Sequence, residues 1–286
     1  MQTIDDRRVS FGEFAGPLAH GATFFDWQLI STQEIAAAFD YSFAEILGDD
    51  GIPYAPVVVS TSVDRYPRIG ETISVETVPR SVGDSSLELL YEIEDGDGER
   101  LATARMTHVT IGSDGAALAL PEDVRAAFAD ASVDRAPAVG PGDGGADAGD
   151  GLASFSSSFE IRSPHIEGAE LAYFEEYPRF ADVALERHLE DRGTSLAELR
   201  GETEPYRIRD WRWEFKSPVH FETTLRVDCD VLEVSDETIR IAHELSSDGR
   251  TNIEGITEYG CFDRSGAPVE FDEAMLEHLE AEPSDS

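Results

Sequence analysis

Val63 to Thr77 reads VDRYPRIGETISVET, and Trp213 to Cys229 reads WEFKSPVHFETTLRVDC. In each, a proline sits a few residues ahead of an alternating run rich in β-branched side chains. That is the pattern of a strand with one buried face. The match continues downstream. SSLELLYEIEDGDGERLATARMTHVTIGSDGA in the first half answers ETIRIAHELSSDGRTNIEGITEYGCFDRSGA in the second. Asp97-Gly98 answers Asp248-Gly249, a hairpin turn signal between alternating runs. Thr107 is matched with Thr257, and Gly115 with Gly266.

Upstream of these strands each half carries one long apolar-periodic segment, FFDWQLISTQEIAAAFDYSFAEIL and YFEEYPRFADVALERHLEDRG. Both are predicted as single helices. Ser31 and Glu34 have capping-box spacing, and Gly193 is placed to stop the second helix. Between the halves runs APAVGPGDGGADAGDG, a composition that cannot bury a core. The expected organisation is one unit over residues 1–135, a linker over 136–153 and a second unit over 154–286. Each unit is a leading strand, one long helix and about four antiparallel strands, an α+β layer architecture.

A chain of 286 residues with 41% hydrophobic content has room for two such cores. No apolar run reaches the length of a membrane span, and the first residues carry no apolar signal core. A cytoplasmic protein is the expectation. Asp and Glu total 59 against 22 Lys and Arg, for a net charge of −37, and Lys216 is the one lysine. Such a surface repels itself in dilute buffer, whereas at molar salt the screening length falls to about 3 Å. The reading is a salt-adapted protein, and nucleic acid is excluded as a partner because little here neutralises phosphates. Cys229 and Cys261 fall in strand-like runs as reduced thiols, and no cysteine–histidine spacing suggests a metal.

The helix followed by VVVSTSVDRYPRIGETISVET and RSVGDSSLELLYEIEDGDGERLATARMTHV resembles the 4-hydroxybenzoyl-CoA thioesterase branch of the hot-dog superfamily. The resemblance implies two fused hot-dog units, each a curled antiparallel sheet around a long helix. They would form an internal pseudo-dimer, and further association of such chains stays open. It also implies acyl-CoA thioesterase activity with no cofactor beyond the CoA of the substrate. Three other readings remain: a hot-dog enoyl-CoA hydratase or dehydratase, an acyl-ACP thioesterase, and a noncatalytic acyl-CoA binder.

Thioester hydrolysis needs a carboxylate that activates water or attacks directly, and N–H donors for the carbonyl oxygen. The family places the acid in the loop before the long helix and the donors at the helix entry. Laid without gaps on SPHIEGAELAYFEEYPRF, Ser163 to Phe180, the loop pattern falls on His165 and Glu167. Glu167 is the expected catalytic carboxylate, His165 its orienting neighbour, and Tyr173 and Phe174 the helix entry. The same count in the first half reaches Ala19, so that loop has no acid and His20 and Asp26 are its nearest titratable groups. On the helices the count pairs Glu34 with Asp182, candidates for the helix carboxylate of a sister branch. Arg65, Arg68 and Lys216, with Arg80, Arg105 and Arg226, are candidate partners for CoA phosphates, against ordinary ion pairing. His108 is assigned to a strand face with no role.

Overall fold

The computed structural model describes residues 1–112, 115–135 and 152–280. The first half runs β1 (Gln2–Arg8), the two-residue strands β2 (Phe14–Ala15) and β3 (Leu18–Ala19), α1 (Thr23–Ala38) and α2 (Phe43–Gly48). It continues with β4 (Ile52–Val63), β5 (Thr72–Val82), β6 (Ser86–Asp95), β7 (Arg100–Ile111) and α3 (Glu122–Ala131). The second half runs β8 (Ser154–Glu160), α4 (Glu176–Asp191), α5 (Leu196–Leu199), β9 (Thr203–Phe215) and β10 (Thr224–Val234). Then come β11 (Ile239–Ser247), β12 (Arg250–Asp263), β13 (Pro268–Val269) and α6 (Glu273–Leu276).

The main strands form one antiparallel sheet in the order β1-β5-β6-β7-β4-β9-β12-β11-β10-β8. Read from either end, the order is the same once each strand is replaced by its repeat. The halves therefore meet at β4 and β9, which pair from Val58↔Glu214 to Ser62↔Asp210. Alternation decides the faces. Leu87, Leu89, Tyr91 and Ile93 of β6 point inward, as do Ile239, Ile241, His243 and Leu245 of β11. At the junction Trp211 and Trp213 are fully buried, and Trp211 packs on Phe25 with ring centroids 3.6 Å apart. Gly255 of β12 lets β9 and the Trp213 ring approach closely, since a Cβ there would lie 2.2 Å from the Arg212 carbonyl oxygen and 2.6 Å from Trp213.

The leading strand, long helix and antiparallel strands stand as expected in each half. Both hairpin turns use left-handed residues: Gly98 in the first half, Asp248 and Gly249 in the second. Gly193, at φ +81°, follows the end of α4 where a left-handed residue is needed. Three expectations need correction. The first apolar segment is two helices, and Ser31 and Glu34 lie inside α1, where Ser31 is buried and its Oγ has no hydrogen-bond partner. The capping box in this segment is Ser42 with Glu45, at the start of α2. Thr107 and Thr257 face opposite ways: Thr257 is buried and accepts the Trp213 indole at 3.1 Å, whereas half-buried Thr107 stands opposite Glu88.

The predicted linker lies outside the described residues except for Leu152 and Ala153. Those two already belong to the second half's packing. Buried Ala153 donates to the Leu279 carbonyl and accepts from the Val231 amide.

Candidate active site

The two halves carry a closer register than the gap-free alignment supplies. Helices α1 and α4 are both 16 residues long, so matching their ends pairs Leu29 with Asp182, Asp26 with Arg179 and His20 with Tyr173. The 3-10 turns Phe11–Glu13 and Ser163–His165 pair likewise, which sets Ala15 against Glu167. In the strands Pro53-Tyr54 pairs with Pro205-Tyr206, and both tyrosines hold left-handed backbone, φ 43° and 56°. The residues that follow them are Ala55 and Arg207. The twin of Asp182 is thus Leu29, and Glu34 is solvent-exposed and lines neither of the two main junction clefts.

At the junction two clefts occupy equivalent places. The larger, about 370 Å³, lies between the α4 entry and the start of β4. Glu167, Tyr173, Phe174 and Tyr177 line it from the second half; Leu29, Phe43, Ile52, Val109 and Ile111 form an apolar wall from the first. Glu167 is half-buried, and its Oε2 accepts the Ala169 N–H at 2.9 Å, which leaves Oε1 without a partner among the described residues. The Glu167 and Glu170 amides close the loop on Leu171 and on Glu167 itself.

Of the amides at the helix entry, that of Tyr173 donates to the His165 carbonyl at 2.8 Å. Those of Phe174 and Glu175 donate to no other group among the described residues. This is the usual shortage of acceptors at a helix start, here beside a cleft. Phe174 is buried against Phe25, Trp211 and Phe215. The Tyr173 hydroxyl crosses to the first half and donates to Asp26 Oδ1 at 2.5 Å. Burial, and then Asp26, push the Tyr173 phenol well above its ordinary range, so it keeps its proton.

His165 stands apart from the cleft lining. Its ring packs edge-on against Phe180, and its Nδ1 accepts the Arg162 amide. Lys216 reaches the cleft, with Nζ 2.5 Å from Glu254 Oε1. Arg65 pairs with Glu71 and Asp95, and Arg68 with Glu71; neither lines a cleft. Arg80 and Arg105 share Glu88, and Arg226 pairs with Asp228. His108 is buried between the Tyr54 carbonyl and the Tyr91 hydroxyl, and burial lowers it to about 4.

The second cleft has shrunk to about 50 Å³. Arg207 occupies the space that Ala55 leaves open in its twin. Its guanidinium holds Glu204 at 2.8 Å and caps the Ala15 carbonyl. Both side chains are buried, and Arg200 adds a second contact to Glu204 at 3.1 Å. His20 Nδ1 accepts the Ala22 amide, so its proton sits on Nε2, 3.5 Å from Asp182 Oδ2. Burial, then Arg179, Arg207 and Arg200, push His20 down to about 3. Burial raises Asp182 to about 7 against the pull of Arg207, and Tyr259 donates to its Oδ1 at 3.3 Å. His20 and Asp182 are brought together as a neutral histidine facing a carboxyl that titrates near neutrality.

Sequence reasoning missed Asp26 as the partner of Tyr173, Arg207 as a plug and Tyr259 as a donor to Asp182. The repeated Pro-Tyr dipeptide was the available signal, because it fixes the register that makes Ala55 and Arg207 twins. Among the described residues no helix is long and apolar enough to cross a membrane, and no three His, Cys, Asp or Glu side chains gather as a metal site.

No family model matches the chain, and no curated protein matches it in sequence. Solved structures do match in shape. A protein of Lactobacillus plantarum, provisionally assigned as an oleoyl thioesterase, superposes with a TM-score of 0.73 at 14% identity, over 91% of this chain and 96% of that one. The 12:0-ACP thioesterase of Umbellularia californica gives 0.66 at 14%, over 89% and 95%. An acyl-ACP thioesterase of Bacteroides thetaiotaomicron gives 0.63 at 16%, over 91% and 96%. Identities this low speak for the fold alone: the chain has the architecture of two fused hot-dog units, α+β, forming an internal pseudo-dimer.

Proposed function

We propose that the chain is a thioester hydrolase that cleaves an acyl-CoA, with its centre in the larger cleft and Glu167 as the base. The observation that carries this is a carboxylate with one oxygen unpaired among the described residues, lining the same apolar cleft as Phe174, whose amide and that of Glu175 are likewise unpaired there. Glu167 Oε1 takes a proton from water as the water oxygen attacks the carbonyl carbon. The Phe174 and Glu175 amides meet the oxyanion. The C–S bond then breaks, and the proton held on Glu167 passes to the leaving thiolate. The apolar wall receives the acyl group, and CoA enters only as part of the substrate, with no cofactor required. Among the described residues Lys216 is the one cation that lines the cleft, placed for its phosphates. The units span 1–135 and 154–286, joined by 136–153, and the surface charge suits a cytoplasm rich in salt.

The likeness to thioesterases in shape supports this reading over a hydratase or a noncatalytic binder. A second reading rests on Asp182: its pKa of about 7 suits a general base, with His20 at its side. The small volume of that cleft argues against it. In molar KCl, the native chain is expected to release free thiol from acyl-CoA or acyl-carrier-protein thioesters, and Glu167→Gln to lose the activity. Loss in Asp182→Asn with Glu167→Gln active would move the centre. No release from any thioester would remove the hydrolase reading, and release from the carrier protein alone would replace CoA.

A further inference from the structure

We propose that Asp26 is a positioning residue for the centre in the second half: by accepting the Tyr173 hydroxyl it holds the α4 entry, and with it the Phe174 and Glu175 amides, in place at the cleft that Glu167 lines. The mechanistic part rests on the hydrolase reading; the mechanical part does not.

Tyr173 is the residue immediately before the two unpaired amides, and its backbone and side chain are tied in different directions. Its N–H binds the His165 carbonyl within the loop, at 2.8 Å. Its hydroxyl leaves the second half altogether and ends on Asp26, in the first turn of α1. One residue along, Phe25 and Phe174 meet edge-on at 5.9 Å, so the two helix entries touch through an apolar pair and a polar pair side by side. Asp26 is half-buried and sits where the positive end of the α1 dipole favours a carboxylate. A hydrogen bond from a neutral donor to a charged acceptor is among the stronger ones, and here it is part-buried.

The twin positions lack the contact. His20, the twin of Tyr173, turns to Asp182, while Arg179, the twin of Asp26, pairs with Glu175. The tie therefore exists only at the open cleft, where the amides are free. Asp26 touches no position that a reacting atom would occupy, so it acts through Tyr173.

Tyr173→Phe and Asp26→Ala should each raise hydrogen exchange in the segment 163–176 while the sheet strands stay as protected as in the native chain. This readout needs no substrate. Unchanged exchange there, or a rise spread over the whole chain, overturns the positioning role. With a hydrolysed thioester, kcat should fall roughly ten- to a hundredfold and KM shift by less than about threefold. Asp26→Asn, which keeps an acceptor oxygen, should recover most of kcat, and the double variant should be no worse than either single one. Multiplying losses, or a KM effect alone, would sink the proposal. A native chain without activity would remove the catalytic consequence but leave the exchange result to decide the mechanical claim.

Discussion

The two clefts at the junction are built from equivalent positions and end with opposite characters. In the open one Ala55 leaves room, the loop supplies Glu167, and Leu29 faces it from α1. In the closed one Arg207 fills the room, the loop supplies Ala15, and Asp182 faces it from α4. Each cleft keeps a single carboxylate among these positions, one on a loop and one on a helix. A repeated fold thus sets where a site can lie, and a few side chains decide whether space and charge are present there.

The largest effect on binding should come from turning the open cleft into its twin. Ala55→Arg displaces about four methylenes of a bound acyl chain at about 0.8 kcal/mol each. That is roughly 3 kcal/mol, or a hundredfold or more in affinity for a non-hydrolysable acyl analogue. Calorimetry in molar KCl would check it, and undiminished binding would place the acyl group elsewhere. The converse change tests the plug. Arg207→Ala leaves buried Glu204 with Arg200 alone and should cost about 3 to 5 kcal/mol of stability, measured by urea unfolding in the same salt.

The pair in the closed cleft predicts a pH signature. Folded Asp182 keeps its proton up to about 7, whereas its ordinary value is 3.8. Between those values the native state binds more protons than the unfolded one, so this group's contribution is largest at low pH and declines as pH rises to about 7. His20, lowered to about 3, opposes this by losing stability as pH falls below 6.5, but it does so in both proteins compared. Asp182→Asn should therefore gain in thermal midpoint relative to the native chain as pH rises from about 4 to 7, and level off above. A slope of the opposite sign would mean an ionised His20–Asp182 pair. The smallest effect concerns the wall: Ser42→Ala removes the cap of α2, whose Phe43 lines the open cleft, at a cost of about 1 kcal/mol.

Much of the fold was legible because strand alternation and helix periodicity are local signals, and a duplicated chain states them twice. Asp97-Gly98 and Asp248-Gly249 sit in their hairpins, and Gly193 ends α4, since turn geometry depends on few neighbouring residues. The helix register was less legible. A gap-free count set Glu34 beside Asp182, whereas matched helix ends set Leu29 there, because apolar spacing repeats with every turn and does not say which turn of one helix answers which turn of the other. Ser31 and Glu34 had the spacing of a cap, yet α1 runs through them because tertiary burial outweighs a local preference. Within the candidate site, Glu167, Tyr173 and Phe174 share the open cleft, while His165 faces Phe180, a contact that depends on how α4 lies against its loop.

From its amino acids alone the chain is specified as two α+β repeats under a heavy negative charge, because patterning and composition are properties of neighbours along the backbone. Which cleft is open, which carboxylate has its proton held, and that Asp26 meets Tyr173 were decided only in three dimensions. Those outcomes depend on distances between residues far apart in the chain, where one arginine in place of an alanine changes both the volume and the electrostatics of a site.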